Sequence, residues 1–447
     1  MNGTADYIMA FDLGSSRIVA ALGMKTESGE LRVLAVEQRP VDTDIRHGVV
    51  HNIEEVASKI KELKDVLCQS QSPELAVSHV YTSINGYTLR TKDAHIESNY
   101  GGVTLFTEKE LDELADQIPE FIPEGFSMVN FYQQEFLVDG KIDKNPVGAM
   151  PKHVKANYKL VGGREDVLSK TDAVFQHIKL SSCTSLGPVA SAEAVLSPED
   201  KYKGAVCIDF GAETTSIAII KGDIVRYVAV LPFGGRNLSL DLLQLNMDED
   251  DAEQIKLLKG DALHYTEMEI REEEDPISKE SKEINDILVA RIEEIVENIW
   301  VQINRAGIEP AKLLSGIVVT GGASRLPNLD KLLARKTGMS VRMGLPVVQL
   351  ESESARLWGK LELSRCIGLL LQGKDGCFPK PTEIVVKEEV KPLLAEDQTL
   401  DGFPAEKPKE KKKEKEKEKV KVVKVKKKST VFKGIFNNIT DFLNDEN

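Results

Sequence analysis

Two stretches of the chain place an acid, then a glycine, then small polar or hydroxyl residues between apolar runs. The first is Phe11-Asp12-Leu13-Gly14-Ser15-Ser16, and the second is Ile208-Asp209-Phe210-Gly211-Ala212-Glu213-Thr214-Thr215. Apolar, largely β-branched residues enter and leave each turn, so each reads as a tight hairpin between buried strands. The chemistry suited to such a turn is phosphate binding. Glycine lets the backbone approach a ligand, Ser and Thr hydroxyls can donate, and the acid can hold the water shell of a magnesium ion. One turn of this kind means little, because acid and glycine are ordinary turn residues. A second copy, with the acids 197 residues apart (209 − 12), implies two similar domains clamping the phosphates of one nucleotide across a cleft.

The elements that must hold these turns follow from hydrophobic spacing. Each copy runs on through a polar turn into a third strand, over 31–36 and 224–230. Ile53, Val56, Ile60, Leu63 and Leu67 form a helical face to cover the first sheet. A strand follows over 79–84, and from 85 to 163 the character shifts to an α+β insert, with an acidic amphipathic helix at 108–118 and a hairpin at 135–142. A helix resumes over 164–175, and a small-residue helix at 189–196 suits close packing in an interdomain hinge.

In the second half, Pro232-Phe233-Gly234-Gly235 opens a helix whose N-terminus is a natural phosphate seat. The next helix carries Glu253 and Lys256 on one face, which spacing alone reads as a surface ion pair. After a long amphipathic helix at 284–303, a buried strand ends in Thr320-Gly321-Gly322-Ala323-Ser324-Arg325. That glycine pair is either a plain β-to-α turn or a flat shelf for an adenine or ribose, and two phosphate hairpins upstream favour the shelf.

Composition narrows the class. The 447 residues are 41% hydrophobic, enough for two or more domains with real cores. No window holds eighteen uninterrupted apolar residues and no basic-then-apolar leader opens the chain, so the expected location is cytosolic. The five cysteines are scattered and lack Cys-x-x-Cys spacing, which argues against a disulfide framework or a zinc site and for neutral thiols. Residues 406–428 carry thirteen Lys against five Glu, while the whole chain carries −14. An acidic body repels nucleic acid, and a basic arm seeks an anionic surface.

Taken in order, the two acid-glycine turns and the glycine pair are similar to the two phosphate motifs and the adenosine motif of the superfamily of actin, heat-shock chaperone ATPases and sugar kinases. Within it the chain resembles the bacterial cell-division FtsA family over nearly its whole length. Asn145-Pro146-Val147-Gly148-Ala149-Met150 is similar to that family's Asn-Pro-x-Gly-Met stretch, with Ala149 interposed. The resemblance implies an α/β actin-like fold, with two ribonuclease-H-like domains facing a nucleotide cleft. The first domain spans 1–84 and 164–198, with an inserted subdomain at 85–163. The second spans 199–246 and 305–385, with a small subdomain at 247–304.

The same resemblance assigns ATP and magnesium to Asp12, Gly14, Ser15, Ser16, Asp209, Gly211, Ala212, Glu213, Thr214 and Thr215, with magnesium held through water. Ribose and base fall to Gly234, Gly235, Glu253, Lys256, Gly321, Gly322, Ala323 and Arg325. It further implies an adaptor on the inner face of the membrane at midcell that self-associates into filaments, anchors the FtsZ ring and recruits later division proteins. The FtsZ C-terminal peptide would dock on the small subdomain, with Arg291 as the candidate contact; spacing alone pairs Arg291 with Glu294. Where the chaperone relatives carry a water-orienting Glu, this chain has Pro188, so tight nucleotide binding with slow turnover at most is expected. A pilus-assembly adaptor and a small-molecule kinase of the same superfamily are the rival readings.

The C-terminal arm can be read physically. Residues 386–428 are expected to form a disordered linker, rich from about 397 onward in Glu and Lys with little to bury. Val431, Phe432, Ile435, Phe436, Ile439, Phe442 and Leu443 then fall on one helical stripe over 429–447. The stripe could dock on a protein or fold back on the body, but the lysines just before it favour anionic lipid, each adding about 1 kcal/mol. One copy binds reversibly, and copies aligned in a filament bind far more tightly through effective concentration.

Overall fold

A computed structural model describes residues 6–26, 30–69, 77–102, 104–122, 124–263, 276–346, 349–350 and 359–378. The linker over 386–428 and the amphipathic segment over 429–447 lie outside the described residues, so Val431 through Leu443 do too. Among the described residues no helix is long and apolar enough to cross a membrane.

The chain opens with β1 (Asp6–Leu13), β2 (Arg17–Lys25) and β3 (Leu31–Pro40), followed by a short ribbon of β4 (Ile45–Arg46) and β5 (Val49–Val50). Helix α1 (Ile53–Gln69) buries Val56, Ile60, Leu63 and Leu67, the stripe expected from spacing, and β6 (His79–Ile84) returns to the sheet. The insert follows as β7 (Arg90–Asn99), α2 (Glu108–Ala115), β8 (Ser127–Val138), β9 (Lys141–Asp143) and β10 (His153–Gly163). Then come α3 (Glu165–His177), β11 (Ser181–Leu186), α4 (Gly187–Val195) and α5 (Pro198–Lys203).

The second half repeats the opening with β12 (Ala205–Phe210), β13 (Thr215–Lys221) and β14 (Ile224–Leu231). Its helices are α6 (Gly235–Leu242), α7 (Glu249–Lys259) and α8 (Pro276–Arg305), and it closes with β15 (Ile317–Thr320), α9 (Leu329–Thr337) and β16 (Val341–Met343). The edge strand β17 (Gln349–Leu350) and α10 (Ser364–Gln372) follow.

Sheet order establishes the duplication. The first sheet runs β11-β6-β1-β2-β3 and the second β16-β15-β12-β13-β14. In both, the first three strands form an antiparallel meander and the last two lie parallel to the first. The register repeats as well: Asp12 faces Val19 in one hairpin and Asp209 faces Ser216 in the other. Two ribonuclease-H-like units in one chain are the actin-like fold.

Along β12, Ala205 and Cys207 join the core shared with the first half, whereas Val206, Ile208 and Phe210 join the core under α6, α8 and α9. A strand buried on both faces must be apolar throughout, which explains its unbroken run. The insert departs from the first half in space. Its sheet continues the second half's sheet, with Arg90 of β7 opposite Ala229 of β14. Thr91 Oγ1 donates to the Val228 carbonyl at 2.9 Å, and Arg226 forks onto Glu135 at 2.6 and 2.5 Å. This docking covers a strand edge that would otherwise be open.

The stretch 305–385, expected wholly within the second half, divides. Cys366, Ile367, Leu369 and Leu370 of α10 pack in the first half's core, because its apolar face fits β1, β2 and the small residues of α4. At the crossing of α10 and α4, a Cβ on Gly368 would stand 1.7 Å from the Ala190 carbonyl oxygen, so only glycine allows this approach.

Candidate functional site

The ends of β1, β12 and β15 converge with the N-terminal turns of α4 and α10. Both hairpin turns close in the same way: Gly14 N donates to Arg17 O at 3.1 Å, and Gly211 N to Thr214 O at 2.8 Å. A Cβ on either glycine would press the acceptor oxygen, at 2.7 and 2.9 Å respectively. The two acid-glycine turns are therefore one structural device used twice.

Asp12 and Asp209 are both buried, and one cation stands between them. Arg365, in the first turn of α10, donates from Nη1 to Asp12 Oδ1 at 3.1 Å and from Nη2 to Asp209 Oδ2 at 2.6 Å. Ser191 Oγ on α4 also donates to Asp209 Oδ2 at 2.6 Å. Burial pushes the Asp12 carboxyl above its ordinary value, with Arg365 pulling it down and Asp209 adding to the rise. Burial opposes the Arg365 charge, but the two carboxylates outweigh it and hold the guanidinium more firmly protonated than usual. Gly321, at φ +91°, lets β15 end directly against this group; a Cβ there would lie 2.3 Å from Asp209 Oδ1.

The remaining phosphate candidates divide. Ser16 is exposed, and Ser15 Oγ accepts from Gly48 N at 3.1 Å. Thr214 Oγ1 accepts from Asn85 Nδ2 at 3.0 Å and keeps its own proton to give, whereas Thr215 Oγ1 spends its proton on Phe233 O at 2.8 Å. Glu213 is not placed as a phosphate contact. Its carboxylate accepts from His47 N at 2.7 Å and pairs with Arg236 at 3.3 Å, so it ties the loop before β5 to the second hairpin. Ala212 supplies backbone, its carbonyl accepting from Arg236 N at 2.7 Å.

Of the base and ribose candidates, Gly234, Gly235, Glu253, Lys256 and Ala323 come together on one shelf. A Cβ on Gly235 would meet Ala323 Cβ at 2.7 Å with Lys256 Nζ 3.6 Å away, and one on Gly234 would meet Ala212 O at 2.5 Å. Lys256 is 8% exposed, and its amine donates to Gly235 O and Ser239 Oγ, both at 3.0 Å, and to Glu253 at 2.5 Å. The pair that spacing reads as a surface contact is thus anchored beneath the shelf, since Ser239 on α6 reaches both partners. Gly322 is open, a Cβ there meeting only Glu362 Cβ at 3.7 Å. Arg325 turns to Glu362 at 2.6 Å and is half-exposed.

These donors fit a nucleotide: two glycine turns that bring backbone close, and a side-chain-poor shelf beside a buried amine. A hydrated magnesium ion would share the two acids with Arg365, which engages Asp12 Oδ1 and Asp209 Oδ2, the latter also held by Ser191. Among the described residues no group of three or more His, Cys, Asp or Glu side chains could hold a metal. The sequence reasoning missed Arg365, although a lone charge in the largely apolar run from Leu363 to Leu371 is itself a sign of a buried charge needing acids. Glu193, further along α4, pairs with Lys201 at 2.6 Å.

Arg291 lies in a groove of about 890 Å³ between α6 and α8, with Asp241, Leu245, Ile287, Ala290 and Glu294 in its walls. It forks onto Asp241 at 2.5 and 3.1 Å and also pairs with Glu294.

Comparison with known proteins agrees with this architecture. The family model described as Cell division protein FtsA matches residues 206–357. Cell division protein FtsA of Neisseria meningitidis is 27% identical over 399 residues, covering 86% of this chain and 94% of that one. The FtsA of Bacillus subtilis is 24% identical over 401 residues, covering 86% and 89%. Among solved structures, a PilM-PilN type IV pilus biogenesis complex aligns with TM-score 0.56 at 17% identity, over 82% of this chain and 98% of that one, a likeness of fold. The chain thus has an actin-like fold and is similar over most of its length to the FtsA cell division proteins.

Proposed function

We propose that the chain is an ATP-binding cell division adaptor that polymerises on the cytoplasmic face of the membrane, anchors the FtsZ ring and recruits later division proteins. The observation that carries the nucleotide part is the pair of equivalent hairpins meeting at Asp12 and Asp209, with the Gly235, Lys256 and Ala323 shelf alongside. Phosphates sit between the glycine turns, where backbone amides can donate, and the adenosine lies on the shelf. His47 and Asn85 reach across to Glu213 and Thr214, so nucleotide occupancy bears directly on the hold between the two halves. Hydrolysis is slow, because Pro188 opens α4 and Glu193 is tied to Lys201.

The adaptor part rests on similarity to the FtsA proteins, on the groove at Arg291 and on the C-terminal stripe. An acidic residue of an FtsZ C-terminal peptide binds there by displacing Asp241 from Arg291. Fluorescence anisotropy with the labelled FtsZ C-terminal peptide tests this. Saturable binding that Arg291→Ala weakens by about tenfold, or 1.4 kcal/mol, is expected; absence of binding to the intact protein sinks the FtsZ role. Liposome co-sedimentation tests the anchor, which fails if deleting 429–447 leaves lipid binding unchanged.

A further inference from the structure

We propose that Asn85, which lies outside every motif of the nucleotide site, is a positioning residue for it: by donating to Thr214 Oγ1 it leaves that hydroxyl's proton to be given to a phosphate oxygen. This rests on the nucleotide reading above and deepens it by naming what aims the phosphate-facing hydroxyls.

Asn85 follows β6 directly and is buried. Its amide stands between two hydroxyls of the second hairpin, donating from Nδ2 to Thr214 Oγ1 at 3.0 Å and accepting at Oδ1 from Ser216 Oγ at 2.7 Å. Ser216 spends its one proton on the carbonyl end, so the amino end is left for Thr214. A hydroxyl has one proton and two lone pairs. Thr214 Oγ1 uses a lone pair on Asn85 and gives its proton to no acceptor among the described residues. Thr215, the next residue, shows the contrast, since its proton goes to Phe233 O. The first hairpin repeats the arrangement: Ser15 Oγ accepts from Gly48 N at 3.1 Å, and a backbone N–H can only donate, so the Ser15 proton is also uncommitted among the described residues. The two donors are built against each other. Gly48 stands at φ +72°, and a Cβ there would lie 2.1 Å from the Asn85 backbone carbonyl oxygen. On the far side, a Cβ on Gly187 would come within 3.0 Å of Asn85 Oδ1, so the amide has little room to swing away. One hydroxyl from each turn thus keeps its proton for a ligand, and phosphate, an anion that only accepts, is the group such protons suit.

The test is a double-mutant cycle on the full-length protein, titrated with a fluorescent ATP analogue in the presence of magnesium, with the folding of each variant verified by circular dichroism. Asn85→Asp keeps the shape but can only accept, so Thr214 must turn its proton to the new carboxylate. Thr214→Val keeps the shape and removes the hydroxyl. Asn85→Asp is expected to weaken binding about thirtyfold with Thr214 present, and about threefold, from its charge alone, in the Thr214→Val background. Asn85→Ala, which buries no charge and is gentler on the fold, should lose about fivefold with Thr214 present and less than about twofold without it. A purely structural role gives the same loss in both backgrounds, and equal losses overturn the proposal while leaving the nucleotide reading standing. So does a Thr214→Val protein that binds as tightly as the wild type. No binding by the wild type overturns the nucleotide reading itself, and this inference with it.

Discussion

Replacing Gly368 with alanine tests how the two acids are held. The added Cβ would stand 1.7 Å from the Ala190 carbonyl oxygen, and real contacts of this kind are essentially never below 3.0 Å, so α10 and α4 must part by more than an ångström. The obstacle is backbone, so no rotamer change relieves it. Overpacking of a buried crossing costs about 1–3 kcal/mol, and the upper end applies here. The same movement carries Arg365, one turn before Gly368 on α10, and Ser191, next to Ala190 on α4, away from Asp209, breaking two contacts of 2.6 Å. At roughly 2–4 °C per kcal/mol, Tm should fall by about 6–12 °C. Differential scanning calorimetry gives that number, and hydrogen exchange should show faster opening in both helices. A Gly368→Ala protein with unchanged Tm and unchanged exchange at α4 would refute the claim that this crossing positions the cleft.

Two further perturbations probe other parts of the account. Glu135→Gln should weaken the docking of the insert on β14 by about 1 kcal/mol at pH 7, a modest figure because the carboxylate is one-third exposed. The hydrogen bonds from Arg226 lower the Glu135 pKa, so its contribution is complete above the ordinary Glu range and is lost as pH falls through the lower folded value. The wild-type and Gln proteins should therefore converge in urea titrations at strongly acidic pH. Lys256→Met should weaken nucleotide binding about tenfold and lower stability by about 1–3 kcal/mol, since it removes the buried amine's bonds to Gly235 O, Ser239 Oγ and Glu253; calorimetric titration with an ATP analogue measures the first effect and urea unfolding the second.

The hairpins were legible because both depend on local signals, a β-branched run broken by acid and glycine, and the repeat confirms itself. The stripe of α1 was legible for the same reason. Two strands were not. β11 reads Ser-Ser-Cys-Thr-Ser-Leu and buries only Leu186, while β7 is polar except at Ala94 and Ile96, so neither carries an apolar pattern against which a strand could be called. Arg365 lies 353 residues from Asp12 in the chain, and no local pattern says which acids it meets. The burial of Lys256 depends on Ser239 from another helix, which spacing within α7 cannot reveal. Glu213 sits inside a phosphate motif yet serves a tie to His47, because motif position specifies backbone shape more firmly than it specifies what each side chain does.

The most direct measurement is a crystal structure of the protein with a non-hydrolysable ATP analogue. The account predicts the phosphates between the turns at 14–16 and 211–213, the adenine over Gly235 and Ala323 beside Lys256, and Arg365 still between Asp12 and Asp209. Nucleotide bound elsewhere, or a cleft left empty at saturating concentration, would contradict it.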